Sequence, residues 1–173
     1  HPKKLLGIAI TASLATNYAK KGDHKFFIAI QTHKYSHSFS YQFTKGELSR
    51  DEEEAVVTKY IIHALSGACG VNQGIQNEAP NLRIEKVNAE KSWVKLVDNK
   101  IDYVSSSNHL PELIFPGSFN PFHSGHAEMS ELAQKKTGLS PAYEICIQNA
   151  DKPPLSYHEI QRTVLQFSQS YDW

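Results

Sequence analysis

Two histidines, His123 and His126, stand three residues apart in the segment Gly-Ser-Phe-Asn-Pro-Phe-His-Ser-Gly-His, which covers residues 117–126. At the start of a helix, this spacing places both imidazoles on one face, where they can donate hydrogen bonds to the same ligand. The unpaired backbone N–H groups of a first helical turn also favour a negative charge there. The pattern therefore predicts a site for phosphate oxygens, in which fixed donors stabilise the charge that develops in a transition state.

The residues around the two histidines extend this prediction. Gly117 is expected to let the backbone approach a ligand closely. Ser118 offers a hydroxyl group, the backbone near Phe119 offers an amide, and Gly125 leaves out a side chain where a nucleotide would lie. Two histidines at this spacing are also found by chance or in a partial metal site, but the glycines at fixed offsets favour the phosphate site. Because no Gly-Lys-Ser/Thr follows, it is not a Walker loop.

The elements that must position this segment alternate between strands and helices. Apolar runs at 112–115 and 143–148 predict strands, and residues 123–136 predict a helix. A closing helix is indicated by the capping pair Ser156 and Glu159, which an apolar stripe follows. Strand–helix–strand–helix with short connections is typical of a parallel, right-handed βαβ unit.

Residues 117–126 resemble the GxFxPxHxGH motif of the HxGH nucleotidyltransferase superfamily, and the similarity extends over residues 111–173. The resemblance implies the N-terminal half of a Rossmann-like nucleotidyltransferase domain (βαβα) and a nucleoside triphosphate with Mg²⁺. It implies transfer of an adenylyl or cytidylyl group to a phosphorylated acceptor, with nicotinamide mononucleotide as one candidate, and release of pyrophosphate. The implied site residues are His123 and His126 as the catalytic pair, and Gly117, Ser118, Phe119 and Gly125 as nucleotide and phosphate ligands.

Residues 149–155 resemble the segment after the second strand in the nicotinate and nicotinamide mononucleotide branch of that superfamily. Lys152 is therefore a further phosphate-binding candidate, and a solvated loop lysine is an equally open interpretation. Members of the superfamily carry a later Ser/Thr-rich motif with an Arg or Lys, which closes on the triphosphate. Residues 111–173 do not contain it, and whether it follows residue 173 is open. Whether this chain is itself an enzyme or an inactive structural subunit of a larger assembly is therefore open.

Residues 1–74 are predicted to form a separate α/β segment. Short apolar or alternating runs indicate three strands, and the capping pair Ser49 and Glu52 begins a long helix. The three strands are predicted at 5–11, 26–32 and 38–43. Residues 75–110 are interpreted as a linker that contains a small hairpin, whose two arms are predicted at 92–97 and 101–104.

Three stretches between residues 7 and 32 resemble the C-terminal half of the CinA C-terminal domain. This resemblance implies a partial α/β segment and a third activity, an amidohydrolase of nicotinamide mononucleotide, whose nucleophilic serine would precede residue 1. Thr11, Ser13 and Thr16 either line a pocket or satisfy backbone groups in a turn, and the turn is the favoured interpretation. The neighbouring basic loop, with Lys20 and His24, either binds an anion or is a solvated face.

Composition narrows the classes of partner and compartment. Basic and acidic residues number 18 each, so the zero net charge favours neither nucleic acid nor a membrane surface as a partner. Cys69 and Cys146 lie in apolar surroundings, which favours reduced thiols inside a cell. The longest apolar run is far shorter than a membrane span. The cytoplasm is the default compartment, and an organelle matrix is the alternative. The sequence leaves open whether the chain forms a homo-oligomer or is a subunit of a larger assembly.

Overall fold

The computed structural model describes residues 5–72, 75, 79–148, 153–167 and 171–173. Contacts within the chain separate two compact units, residues 1–89 and residues 90–173. Their boundary lies inside the segment that the sequence predicts as a linker. Each unit contains both strands and helices, so the chain is a mixed α/β protein, as expected.

The first unit is a four-stranded antiparallel sheet with one long helix. The strands are in the order β1-β2-β3-β4, and helix α1 connects β3 to β4. The three predicted strands and the helix are confirmed, whereas β4 was not predicted. The elements are β1 (Gly7–Ser13), β2 (Lys25–Gln31), β3 (Tyr35–Gln42), α1 (Arg50–Ala68) and β4 (Leu82–Asn88).

Alternation along β2 explains how this sheet holds the helix. Phe26, Ile28 and Ile30 are almost fully buried, whereas Phe27 and Ala29 between them are exposed. A period of two places alternate side chains on opposite faces of a sheet, so one face carries the core and the other meets solvent. The buried face packs against apolar side chains of α1.

A buried carboxylate joins α1 to the loop between β1 and β2. The side chain of Glu53 is fully buried, and its Oε1 lies 2.8 Å from Nδ1 of His24, which is itself buried. The second carboxylate oxygen accepts the N–H of Ala15 at 2.6 Å. His24 therefore belongs to a buried pair, which corrects its assignment to an anion-binding or solvated loop.

The other polar side chains of this loop are occupied by the fold. Ser13 donates to the carbonyl of Asp23 at 3.0 Å, and Lys20 donates to the Ser13 hydroxyl at 2.6 Å. Thr16 donates to the carbonyl of Tyr18 at 2.8 Å. These contacts confirm the turn interpretation of Ser13 and Thr16, in which side chains satisfy nearby backbone groups.

The second unit contains the predicted strand–helix–strand–helix order. Strands β5 and β6 are parallel, with Phe115 opposite Tyr143, and helix α3 connects them. The capping pair Ser156 and Glu159 is present at the start of α4. The elements are α2 (Lys91–Val97), β5 (Leu113–Gly117), α3 (Ser124–Thr137), β6 (Pro141–Ile145) and α4 (Tyr157–Phe167).

The predicted hairpin at 92–97 and 101–104 is wrong. Residues 91–97 form helix α2, and residues 101–104 are not a strand. The buried ring of Trp93 stacks on Tyr157 of α4, with ring centres 6.3 Å apart. The apolar residues of so short a segment fit either period, and the contact of Trp93 with Tyr157 favours the helix.

No helix in the described ranges is both long enough and apolar enough to cross a membrane.

Candidate functional site

The candidate site lies where β5 ends and α3 begins. Gly117 is the last residue of β5, and His123 is the N-cap residue of α3, with extended backbone angles. The loop between them contains Phe119 with a φ of 43° and a cis peptide bond between Asn120 and Pro121. The first amide groups of α3 are therefore presented beside the two histidines, at the positive end of the helix dipole.

The two histidine rings stack on each other. Their centres are 3.8 Å apart with 23° between the planes. Phe122 stacks on the other face of His126, with ring centres 5.5 Å apart. The backbone N–H of His123 donates to Nδ1 of His126 at 3.3 Å. The structure thus brings His123 and His126 together on one face of the helix, as their spacing predicts.

This stack determines the protonation of His126. Loss of hydration beside its neighbours lowers the pKa of His126, and the nearby charge of His123 lowers it further. Because Nδ1 accepts the backbone N–H, the proton of the neutral imidazole lies on Nε2. His126 is therefore a neutral donor at neutral pH, held with a fixed tautomer.

His126 is expected to titrate below the ordinary range of histidine, with the proton of its neutral form on Nε2. Replacing His123 by Ala should raise the pKa of His126, because a neighbouring charge and part of the covering surface are lost. Nitrogen-15 NMR of the imidazoles over a pH series measures both the pKa and the tautomer. His109→Ala, which alters an exposed histidine of the same unit, is the control and should leave the His126 curve unchanged. An unshifted His126, or a proton on Nδ1, would contradict this geometry.

An aromatic side chain gives one reason for the glycine at position 117. A Cβ atom at Gly117 would lie 2.6 Å from Cζ of Phe119. The Phe119 ring is buried against Tyr143 and Phe167. The missing side chain of Gly117 therefore makes room for the Phe119 ring, and its contact with a ligand stays a prediction.

Replacing Gly117 by Ala is expected to lower the free energy of unfolding of this unit by about 1–3 kcal/mol, as overpacking of a core does. Both tryptophans of the chain, Trp93 and Trp173, lie in residues 90–173, so tryptophan fluorescence during urea unfolding measures this unit. Gly22→Ala adds the same methyl group where nothing lies within 4 Å, and it should leave the fluorescence midpoint unchanged. Equal midpoints for Gly117→Ala and the unaltered chain would show that the Phe119 ring does not need this space.

Gly125 also makes room for a neighbouring ring. A Cβ atom there would lie 3.3 Å from both Cε1 and Nδ1 of His123. Its missing side chain therefore accommodates the His123 imidazole, whereas the sequence suggested space for a nucleotide. Ser118 is exposed at the start of the loop, and Lys152 lies outside the described residues.

Sequence reasoning missed Gln166, which contacts the loop from α4. Its Oε1 accepts the N–H of Phe122 at 2.7 Å, and its Nε2 donates to the carbonyl of Phe119 at 3.1 Å. The sequence signal for this residue is its position immediately before Phe167, which is fully buried. A helical stripe indicates which side chains are buried, but not which backbone groups they meet.

The described residues hold no group of three His, Cys, Asp or Glu side chains that could bind a metal ion by themselves. A cavity of about 600 Å³ in the second unit lies along β6 and the loop before β5, and the two histidines are not among the residues that line it. It is lined by Trp93, Ile114, Cys146 and Trp173 among others. The candidate site is thus an open helix terminus rather than an enclosed pocket.

The two stacked histidines lie at the start of a helix, directly after a parallel strand, in a segment that is similar to a known family. Residues 114–168 match the cytidylyltransferase-like family. The match includes His123, His126 and most of the segment from β5 to α4, and it is consistent with the HxGH nucleotidyltransferase superfamily. No curated protein and no solved structure matches the chain.

The cytidylyltransferase-like match supports a nucleotidyltransferase type of function in general. It covers less than half of the 173 residues and does not reach the first unit. The resemblance of residues 7–32 to the CinA C-terminal domain therefore stays a prediction, as does the amidohydrolase activity that it implies.

Proposed function

We propose that the cytidylyltransferase-like segment binds the triphosphate of a nucleotide and takes part in nucleotidyl transfer to a phosphorylated acceptor. The observation that supports this proposal is the stacked pair of His123 and His126 at the N-terminus of α3. A neutral His126 donates through Nε2, and the amides of the first helical turn add further donors. ATP and CTP are the candidate nucleotides, and nicotinamide mononucleotide is a candidate acceptor.

In the proposed reaction, a phosphate oxygen of the acceptor forms a bond to the α-phosphorus of the triphosphate. The bond from that phosphorus to the oxygen bridging the α- and β-phosphates breaks, and pyrophosphate leaves with the electron pair. Negative charge therefore moves toward the oxygens of the leaving group. Donors fixed before the reaction stabilise this charge without forming a covalent intermediate. His123 and His126 are the donors proposed for this role, and Ser118, Lys152 and the amide of Phe119 remain candidates for contacting the phosphates.

Mg²⁺ is proposed to enter as part of the substrate, bound to the phosphate oxygens of the nucleotide. Oxygens of the phosphates would be the principal ligands of the ion. The ion would neutralise part of the charge on the phosphates. The residues of the chain would hold and orient the triphosphate.

The test combines each of the four ribonucleoside triphosphates and Mg²⁺ with nicotinamide mononucleotide and the full chain. Pyrophosphate release is measured, and the product is identified by mass spectrometry. The proposal expects a dinucleotide and stoichiometric pyrophosphate with ATP or CTP. Binding of a triphosphate without any product would favour the inactive structural subunit, and calorimetry that detects no binding of any triphosphate would refute the proposed site.

A further inference from the structure

Gln166 is the residue of α4 that contacts the backbone of the candidate site. It lies 44 residues after Phe122 and 47 after Phe119 in sequence, yet its side-chain amide bridges both. The side chain is half-buried, and the ring of Phe167 beside it is fully buried in the aromatic cluster under the loop. The amide is thus held by an element that packs firmly against the site.

The bridge needs both halves of a carboxamide. Oε1 accepts from the Phe122 N–H, and Nε2 donates to the Phe119 carbonyl. Glutamine offers an acceptor and a donor side by side, whereas ionised glutamate offers acceptors alone. Since Phe119 has a positive φ, the loop here departs from regular structure, and its backbone groups require partners from elsewhere in the chain.

Phe122 connects this bridge to the histidines. Its ring stacks on His126 with 23° between the planes, and His126 stacks in turn on His123. Fixing the backbone of Phe122 therefore fixes one side of the three-ring stack. Phe122 immediately precedes His123, the N-cap residue, so the same contact also limits the direction in which the chain enters α3.

We propose that Gln166 is a positioning residue, which holds the loop of residues 119–122 so that His123 and His126 keep their stacked geometry. The expected effect of Gln166 on the transfer rate rests on the proposed function. Its effect on the geometry of the two histidines can be measured in a chain that has no transfer activity. Gln166 itself contacts the loop backbone and acts on the nucleotide through the histidines.

Gln166→Met keeps the length of the side chain and removes both hydrogen bonds. The rate of nucleotidyl transfer is expected to fall by roughly 10- to 100-fold, the size of effect seen when a residue that supports an active-site ligand is lost. The fall should be in kcat, and the KM of the acceptor should stay unchanged. Gln166→Glu keeps an acceptor for the Phe122 N–H and should retain an intermediate rate. Gln161→Met makes the same replacement at an exposed position of the same helix and should behave like the unaltered chain.

The second readout is the NMR titration of His126 in the full chain, without nucleotide. Gln166→Met should raise the pKa of His126 toward its ordinary value, because a released imidazole regains hydration and moves away from His123. If the chain has no transfer activity, the proposed function fails while this titration still tests the positioning role. If Gln166→Met does not fold, Gln166→Glu gives the same test with a smaller shift. The proposal would be overturned if a folded Gln166 variant had the same His126 pKa and the same transfer rate as Gln161→Met.

Discussion

Replacing Glu53 by Ala is expected to lower the free energy of unfolding of the first unit by about 3–5 kcal/mol, the usual cost of removing one partner from a buried pair. Both carboxylate oxygens of Glu53 have partners, Nδ1 of His24 at 2.8 Å and the N–H of Ala15 at 2.6 Å. After the change, both partners stay in the interior without an acceptor. An unsatisfied buried polar group loses its hydration without compensation, which explains the large effect.

Circular dichroism during urea unfolding follows helix α1 of the first unit together with the helices of the second unit. The transition of the first unit is the part of this signal that tryptophan fluorescence does not follow. Glu54→Ala is the matched control, since Glu54 is the next residue of the same helical turn, half-exposed, and pairs with Arg50. That exposed pair is worth at most about 1 kcal/mol. Tryptophan fluorescence, which measures residues 90–173, should not change in either variant. Equal effects of Glu53→Ala and Glu54→Ala would show that the buried pair does not stabilise the fold.

Replacing His126 by Ala is expected to reduce nucleotidyl transfer by about 10²–10³-fold, the typical cost of removing one fixed donor from a developing charge. The reason is that Nε2 of His126 is a preoriented donor, with its tautomer set by the His123 N–H at 3.3 Å. His126→Gln restores an N–H donor on a flexible chain, so a partial recovery of rate is expected. The measurement is the initial rate of pyrophosphate release at saturating acceptor.

The control for this variant is His109→Ala, which removes an exposed histidine of the same unit. It should retain the rate of the unaltered chain. Tryptophan fluorescence of His126→Ala should confirm that residues 90–173 remain folded, because Trp93 lies in their core. A folded His126→Ala chain with an unaltered rate would remove His126 from the proposed mechanism.

Local signals predicted much of the fold. The capping pairs Ser49–Glu52 and Ser156–Glu159 marked the starts of α1 and α4, because such caps depend on residues three apart. The pairing of His123 with His126 followed from the same helical geometry. An apolar run predicted β2, and alternation predicted β3, since a half-buried sheet imposes a period of two.

Contacts between distant residues were not predictable in this way. Glu53 belongs to the acidic first turn of α1, and the sequence does not show that His24 meets it in the interior. Gly117 was assigned to a ligand because the sequence does not show that the loop directs the Phe119 ring onto it. The contact of Gln166 with residues 119–122 depends on where α4 packs, which no local pattern specifies.

The most direct test of the central claim is an NMR titration of the histidine side chains with Mg²⁺ and ATP or CTP. If His123 and His126 hold the triphosphate, their resonances should shift together and reach saturation, while exposed His109 stays unchanged. Saturable binding of the nucleotide that leaves His123 and His126 unshifted would contradict the account.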